Sequence, residues 1–254
     1  MNGPAPQPPT VVLVHGAFTD ASSWAGVIAL LQAAGLTVLA PANPLRGLAQ
    51  DAAYIESVVR QTDAPVVLVG HGYGGAVITH AAGDCDQIVA LCYVAAFGLD
   101  AGESVLDILS RFASAPVTDT TITAALPARF TSGPEGEMYL IEEQFGPTFA
   151  ADLSPHVTDA LAVTQRPIAR RALTGTSGPP AWACKPSWYA IAAADRMLAP
   201  TAQRFMAQRM AATEYSVAAS HGVVLSQPGA VAAMIREAAE QGTDRGDGSG
   251  LPRG

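Results

Sequence analysis

The chain has 254 residues, of which 49% are hydrophobic and 14% are charged, and its mean hydropathy is +0.24. Its net charge of −8 arises from 14 basic and 22 acidic residues. This balance excludes the broad basic surface that binds nucleic acid, so we expect a globular protein that acts on a small, largely apolar molecule.

The two ends of the chain differ in composition from the rest. Residues 1–9 are crowded with Pro and Gly, and residues 242–254 are polar and Gly-rich, so both are predicted to be disordered extensions. The N-terminus lacks the basic and apolar parts of a signal peptide, and no apolar run reaches the ~18–20 residues of a membrane span. We therefore expect a cytoplasmic protein that does not associate with membranes.

The three cysteines give no sign of a metal site or a disulfide framework. Cys85, Cys92 and Cys184 form no CxxC pair and no cluster with histidine. No other motif in the chain points to a bound metal or an organic cofactor. We expect free thiols, and neither a metal ion nor a cofactor.

Strand-like and helix-like stretches alternate through the first part of the chain. Short Val-rich runs are typical of strands buried on both faces, and the stretches between them have helical periodicity. The predicted strands are 10–15, 37–41, 65–70 and 87–97, and the predicted helices are 22–35, 48–62 and 75–83.

The alternation stops at residue 98 and resumes at residue 187. Residues 98–186 contain helical pieces and Pro-rich joints but no Val/Ile-rich strand, which predicts a helical cap inserted over a site. Strands at 187–194 and 213–218 and helices at 201–211 and 229–241 follow. Residues 10–97 and 187–241 therefore predict one α/β core, with a mostly parallel sheet of about six strands flanked by helices.

A glycine turn between a strand and a helix is the first signal of a functional site. Residues 70–74 read GHGYG, and glycines there let a strand turn sharply into a helix. The turn leaves the amide of Tyr73 at a helix N-terminus, where an anion is stabilised. The HGAF loop after the first strand can supply a second backbone amide to the same oxyanion hole.

Two titratable residues follow later strands. Asp195 is the first acid after the strand at 187–194, and His221 comes shortly after the strand at 213–218. The order glycine turn, acid, histidine is the chain order of the α/β-hydrolase catalytic triad.

With these motifs in place, the chain resembles the esterase-like α/β-hydrolase-fold family, a group similar to plant methyl-salicylate esterases and hydroxynitrile lyases. The resemblance rests on LVHGAFTDASSW, LVGHGYGGAVI, PSWYAIAAADRM and ASHGVVLSQP, and it extends over about residues 10–240. It implies an α/β-hydrolase fold with a nucleophile at position 72, a general base at His221 and an orienting acid at Asp195. It also implies oxyanion donors from the amides of Ala17 and Tyr73.

The departure from the family pattern lies at position 72, where the family has serine and this chain has Gly72. Without a hydroxyl the acyl-enzyme route is closed. Three hypotheses fit this departure. The first is an esterase-like enzyme that has lost its nucleophile, naturally or by design, and the second is a non-hydrolytic lyase, isomerase or cyclase of small-molecule biosynthesis that uses His221 and Asp195 as an acid–base pair. The third is a pocket-type binding protein.

Plainer interpretations of the same residues stay open at the level of sequence. Gly72 also fits an ordinary turn, Asp195 a surface ion pair with Arg196, and His221 a hydrogen-bonded residue at a strand end. His15 is expected to fix the oxyanion loop and not to act in catalysis, and Phe18 is the aromatic residue expected to face a substrate. The sequence gives no signal of oligomeric state.

Overall fold

The computed structural model describes residues 7–82, 86–113, 128–131 and 136–246. In its first part, strands and helices alternate as the sequence predicts. The elements are β1 (Thr10–Val14), α1 (Ala25–Ala33), β2 (Thr37–Leu39), α2 (Leu48–Val59), β3 (Val66–His71), α3 (Tyr73–Ala81) and β4 (Ile88–Val94).

In the part of residues 98–186 that the structure describes, there are four α-helices and three short strands. They are α4 (Val105–Phe112), β5 (Ala128–Phe130), β6 (Glu137–Leu140), α5 (Glu142–Phe149), α6 (Pro155–Val163), β7 (Ile168–Ala169) and α7 (Arg170–Thr174). The last part returns to the core with β8 (Ser187–Ala192), α8 (Pro200–Arg209), β9 (Thr213–Val217), α9 (Val223–Ser226) and α10 (Pro228–Gly246).

The main sheet has six strands in the order β2-β1-β3-β4-β8-β9, and every neighbouring pair is parallel. The predicted parallel sheet is therefore confirmed. Parallel strands need crossover helices on the sheet faces, which is why the strands read as continuous apolar runs. In β1, β3 and β8 every residue is buried.

Alternate residues of β1, β3 and β8 enter two separate hydrophobic clusters, one on each face of the sheet. Val11 and Leu13 of β1 pack in one cluster with residues of α1 and α10, such as Leu31 and Ile235. Val12 and Val14 belong to the other, with side chains of α2, α3 and α8 and of residues 98–186, which we call the middle segment. The sheet thus forms the central layer of three, and the middle segment covers one face.

The segment at 98–186 differs from the helical cap predicted for it, because it also contains an antiparallel sheet in the order β5-β6-β7. These strands are short, with sequences ARF, EMYL and IA. They lack the Val/Ile-rich runs that identify a strand from sequence, so only their pairing, such as Met138 opposite Ile168, defines them.

The C-terminal helix extends further than predicted. Helix α10 continues to Gly246, so residues 242–246 are helical and not part of a disordered tail. The remainder of that predicted tail and most of the predicted N-terminal extension lie outside the described residues. None of the described helices is long and apolar enough to cross a membrane.

Candidate active site

Gly72 occupies the turn between β3 and α3, and its backbone has φ 53° and ψ −121°. Glycine adopts this positive φ without the steric cost that a Cβ imposes. The turn is fixed by β4 and the residues after it, because the Gly72 amide donates to the Val94 carbonyl at 3.3 Å and the Phe97 amide donates to the Gly72 carbonyl at 3.0 Å. We call residues 70–74 the elbow.

The elbow faces a buried histidine–carboxylate pair. His221 Nδ1 donates to Asp195 Oδ2 at 2.7 Å, and both residues are buried. A carboxylate only accepts hydrogen bonds, so Nδ1 carries the proton and the lone pair is on Nε2. A Cβ built on Gly72 would lie 3.1 Å from His221 Nε2, so the side-chain direction of position 72 points at this atom.

Three further donors hold Asp195, which lies in the loop after β8. Its Oδ1 accepts from the amides of Met197 at 2.7 Å and Leu198 at 2.9 Å. Its Oδ2 accepts from Gln203 Nε2 at 2.8 Å as well as from His221. Gln203 is completely buried, and its Oε1 accepts from the Ala192 amide at 2.9 Å, which fixes the orientation of the amide group.

Two aromatic rings, those of His71 and Phe149, pack against His221 and also contact each other. The centroid of the His71 ring lies 4.8 Å from that of His221, and the edge-on Phe149 ring lies 5.0 Å away. His71 Nε2 donates to the His221 carbonyl at 2.9 Å. Burial, together with the nearby His221, lowers the pKa of His71 to about 3, so this ring stays neutral and serves as a fixed donor.

The loop after β1, residues 15–18, lies directly against the elbow. A Cβ on Gly16 would lie 2.8 Å from the His71 carbonyl oxygen and 3.4 Å from the Tyr73 amide nitrogen, so this approach requires glycine. The close approach places the backbone of Ala17, the residue after Gly16, beside the start of α3. We call residues 15–18 the oxyanion loop.

Hydrogen bonds of His15 hold the oxyanion loop in place. Its Nδ1 donates to the Gly16 carbonyl at 2.9 Å, and its Nε2 accepts from the Asn43 amide at 3.0 Å. The side chain of Asn43 in turn donates to the His15 carbonyl at 3.0 Å. Burial lowers the pKa of His15 to about 4, so the ring is neutral. These contacts agree with the structural role expected for His15.

Phe18 closes the oxyanion loop in a strained conformation, with φ 64°. Its amide donates to the Arg166 carbonyl at 3.0 Å, which ties the loop to the middle segment. A positive φ in an aromatic residue is uncommon and persists only where the surroundings hold it. Here it turns the ring toward a cavity beside His221, where a substrate-facing residue was expected.

The cavity beside His221 is almost entirely apolar. It is small, about 40 Å³ in volume, and it opens partly to solvent. Its lining comes from the oxyanion loop, the elbow, the middle segment and the Asp195 loop: Ala17, Phe18, Tyr73, Phe97, Val105, Leu109, Met138, Leu173, Met197, Leu198 and His221. Among the described lining residues, His221 has an ionisable group that can face a ligand, whereas the Tyr73 hydroxyl is engaged elsewhere.

The Tyr73 hydroxyl is turned away into a buried polar contact with α2. It donates to Asp51 Oδ2 at 2.8 Å, and Asp51 also accepts from the amides of Arg46 and Gly47. Burial raises the pKa of Asp51 against the effect of these hydrogen bonds, and it raises the pKa of Tyr73. The contact anchors the first residue of α3, whose amide is the predicted oxyanion donor.

The structure brings together every residue singled out from the sequence: Gly72, Asp195, His221, Ala17, Tyr73 and Phe18. Asp195 does not pair with Arg196, whose guanidinium donates to the Pro147 carbonyl at 3.1 Å. The catalytic roles of these residues stay predictions. Among the described residues, no three His, Cys, Asp or Glu side chains lie close enough together to hold a metal ion.

Sequence reasoning missed the residues that support the site. Asn43, Asp51 and Gln203 are polar and completely buried, and each bonds to the loops described above. They stand in stretches with no motif of their own. Gln203, on a helical pattern, and Asp51, near a helix start, look like ordinary helix residues in sequence, so only their burial reveals them.

Comparison with known proteins agrees with this geometry. The model of the alpha/beta hydrolase family matches residues 11–234, which is most of the chain. The chain belongs to the α/β-hydrolase family. The match spans the elbow, the oxyanion loop, Asp195 and His221. No curated protein matches the chain by sequence.

Several solved structures share the fold of this family member at low sequence identity. Polyneuridine aldehyde esterase has a TM-score of 0.74 and 19% identity over 95% of this chain and 100% of its own. An extracellular α/β-hydrolase from a Paenibacillus species, described as homologous to tobacco salicylic acid binding protein 2, has a TM-score of 0.73 and 20% identity over 91% and 99%. Tomato methylketone synthase I in complex with 2-tridecanone has a TM-score of 0.71 and 17% identity over 92% and 99%.

Proposed function

We propose that the chain is an α/β-hydrolase-family enzyme that acts on a small, largely apolar carbonyl or ester compound by acid–base chemistry, without an acyl-enzyme. His221 is the base and acid, Asp195 orients it, and the amides of Ala17 and Tyr73 stabilise an oxyanion. The observation that carries the proposal is the buried 2.7 Å bond between His221 Nδ1 and Asp195, which leaves Nε2 facing a residue with no side chain.

The reaction starts with the substrate carbonyl oxygen directed at the two amides. His221 Nε2 removes a proton from the carbon beside the carbonyl, and the electron pair moves to the oxygen as an enolate. The resulting imidazolium is stabilised by Asp195. Return of the proton from His221 to a different atom of the substrate gives isomerisation. Collapse of the enolate with expulsion of a leaving group from the β-carbon, protonated by His221, gives lyase chemistry. Attack of the enolate carbon on an electrophilic carbon of the same molecule, whose displaced electron pair takes the His221 proton, gives cyclisation.

The apolar lining of the cavity favours a substrate without charge. Its lining side chains are apolar apart from His221 and the engaged Tyr73. Burying a charged group beside such a wall without a partner costs several kcal/mol, so the carbonyl group is the one polar feature that the site is built to receive.

Structures with the same fold support this choice of substrate class. Tomato methylketone synthase I binds 2-tridecanone, a neutral apolar ketone. Polyneuridine aldehyde esterase is named for an aldehyde, which also contains a carbonyl group. The fold alone does not assign a reaction, so the argument for this chain rests on the site.

A second candidate is an esterase whose nucleophile has been lost. It is favoured by the backbone of Gly72, which keeps φ 53° and a side-chain direction aimed at His221 Nε2. On this account the protein regains ester hydrolysis when a hydroxyl is restored at position 72.

The experiment that tests the main proposal is exchange of substrate protons with solvent. The parent protein in D₂O is expected to catalyse deuterium incorporation beside the carbonyl of a neutral methyl ketone, followed by NMR. A His221→Gln variant is expected to lose this activity, since glutamine cannot transfer the proton. Equal rates in parent and variant would remove His221 from the mechanism.

A further inference from the structure

We propose that Asp152 is a positioning residue for His221, acting through Ser220 from the middle segment. Residues 149–152, the clamp segment, begin with the last residue of α5 and lie against the loop that carries His221. Asp152 affects the orientation of His221, whether that histidine performs acid–base chemistry or serves another reaction.

The carboxylate of Asp152 grips the residue directly before His221 at two points. Its Oδ1 accepts from the Ser220 hydroxyl, and its Oδ2 accepts from the Ser220 amide at 3.2 Å. Ser220 is buried. The same hydroxyl also lies 3.2 Å from the Phe149 carbonyl, but a hydroxyl has one proton and the carboxylate is the nearer acceptor.

The clamp segment also holds the residue directly after His221. The Gly222 amide donates to the Phe149 carbonyl at 2.7 Å. A Cβ on Gly222 would lie 3.2 Å from the Ala150 Cβ, so the two backbones approach closely. Both neighbours of His221 in the chain are therefore bound to residues 149–152, and the Phe149 ring packs edge-on against the imidazole at 5.0 Å.

His221 is consequently held from two parts of the molecule. The core provides Asp195 at Nδ1 and His71 at the carbonyl, and the clamp segment provides the grip on Ser220 and Gly222. The bond from Nδ1 to Asp195 requires the backbone of residues 220–222 to stay in place. Asp152 is the charged group in this grip, and hydrogen bonds led by the Ser220 hydroxyl outweigh its partial burial and lower its pKa.

The test follows the Nδ1 proton of His221, which gives a downfield imidazole resonance in ¹H NMR when it is bound to Asp195. The resonance is assigned by its loss in His221→Gln. Asparagine has one acceptor oxygen and an NH₂ group that only donates, so Asp152→Asn keeps at most one of the two bonds from Ser220. Exchange of the His221 proton with solvent is therefore expected to accelerate at least about tenfold. Ser220→Ala, which removes one oxygen, is expected to act in the same direction, and Asp152→Glu to restore part of the protection.

Two references separate positioning from general destabilisation. The Nδ1 proton of His15, bonded to the Gly16 carbonyl, is expected to keep its exchange rate in every variant. Asp159→Asn, an exposed acid on α6, is the matched control and is expected to behave like the parent. If Asp152→Asn and Ser220→Ala both leave the His221 proton unchanged, or if the His15 proton accelerates equally, Asp152 does not position His221. Ser220→Ala alone decides the question if Asp152→Asn does not fold.

Discussion

At the scale of single residues, position 72 determines which chemistry is open to the site. His221 Nε2 lies 3.1 Å from the place where a Cβ would stand, closer than most side-chain contacts in proteins allow. The imidazole of His221 therefore packs directly against Gly72. A serine at position 72 would displace the imidazole by a few tenths of an ångström. The backbone, however, still has the positive φ of 53° that directs a side chain at the base.

Restoring the hydroxyl gives a clear prediction. In Gly72→Ser, His221 is expected to deprotonate the serine and hydrolysis of a short-chain aryl ester such as p-nitrophenyl acetate to rise at least about 10²-fold over the parent, with an initial burst of product. Gly72→Ala, which adds the Cβ without the oxygen, is the matched control and should show neither effect. Failure of folded Gly72→Ser to exceed Gly72→Ala would contradict the alignment of the elbow with His221.

The residues that could be predicted from sequence are those in motifs with a fixed chain order. Gly72, Asp195 and His221 follow their strands in the order of the triad, and the HGAF loop carries Ala17 and Phe18. Residues that act through these, such as Gln203 and Asp152, could not be predicted. Their partners are set by tertiary contacts between distant segments, and a hydrogen bond to a neighbouring loop leaves no pattern in the sequence.

At the scale of elements, the site is assembled at the carboxyl ends of β1, β3, β8 and β9, four strands of one parallel sheet. The oxyanion loop follows β1, the elbow follows β3, and the loops of Asp195 and His221 follow β8 and β9. In open α/β sheets this edge is where ligands bind. Helix α3 contributes its first amide, and its position depends on the Tyr73–Asp51 contact with α2.

Removal of this contact is expected to destabilise the protein. Tyr73→Phe deletes one of the donors to a buried carboxylate and should lower the free energy of unfolding by about 1–2 kcal/mol in urea denaturation. Tyr54→Phe, on the exposed face of the same helix α2, is the matched control and should stay within about 0.5 kcal/mol of the parent. A Tyr73→Phe variant as stable as the control would show that Asp51 does not depend on the hydroxyl.

The core elements were predictable and those of the middle segment only in part. Strands buried on both faces have Val-rich sequences, and the helices between them have apolar residues at regular spacing. Both kinds of element can therefore be recognised in the sequence. The strands β5, β6 and β7 have two to four residues each, and their stability comes from pairing with one another. Pairing of such short segments has no local signal, which is why the sequence predicts a helical cap but not these strands.

At the scale of the whole molecule, two buried histidines link stability to pH. The folded-state pKa values of His71 and His15 are lowered to about 3 and about 4, below the unfolded value of 6.5. Between these limits the unfolded chain binds more protons than the folded chain. The stability due to the neutral rings is therefore fully present above pH 6.5 and is lost as the pH falls toward 4 and 3.

The free energy of unfolding is accordingly expected to fall by on the order of 2–4 kcal/mol between pH 7 and pH 5, measured by urea denaturation. His71→Gln keeps a donor for the His221 carbonyl but cannot titrate. Whatever its stability at pH 7, this variant should lose less stability on acidification than the parent. Identical slopes for the two proteins would mean that His71 is not neutral and buried in the folded state.

The central claim is that His221 transfers protons in a site that has no nucleophile. The most direct measurement is the initial rate of deuterium incorporation into 2-heptanone, a neutral methyl ketone, in D₂O with parent, His221→Gln and His80→Gln. The last is a matched control, because His80 lies outside the site and accepts from the Gly178 amide at 3.1 Å. The account predicts exchange by the parent and by His80→Gln, and at least about a 10²-fold lower rate for His221→Gln. Exchange by the parent that persists undiminished in His221→Gln, or no exchange by the parent over the uncatalysed rate, would contradict it.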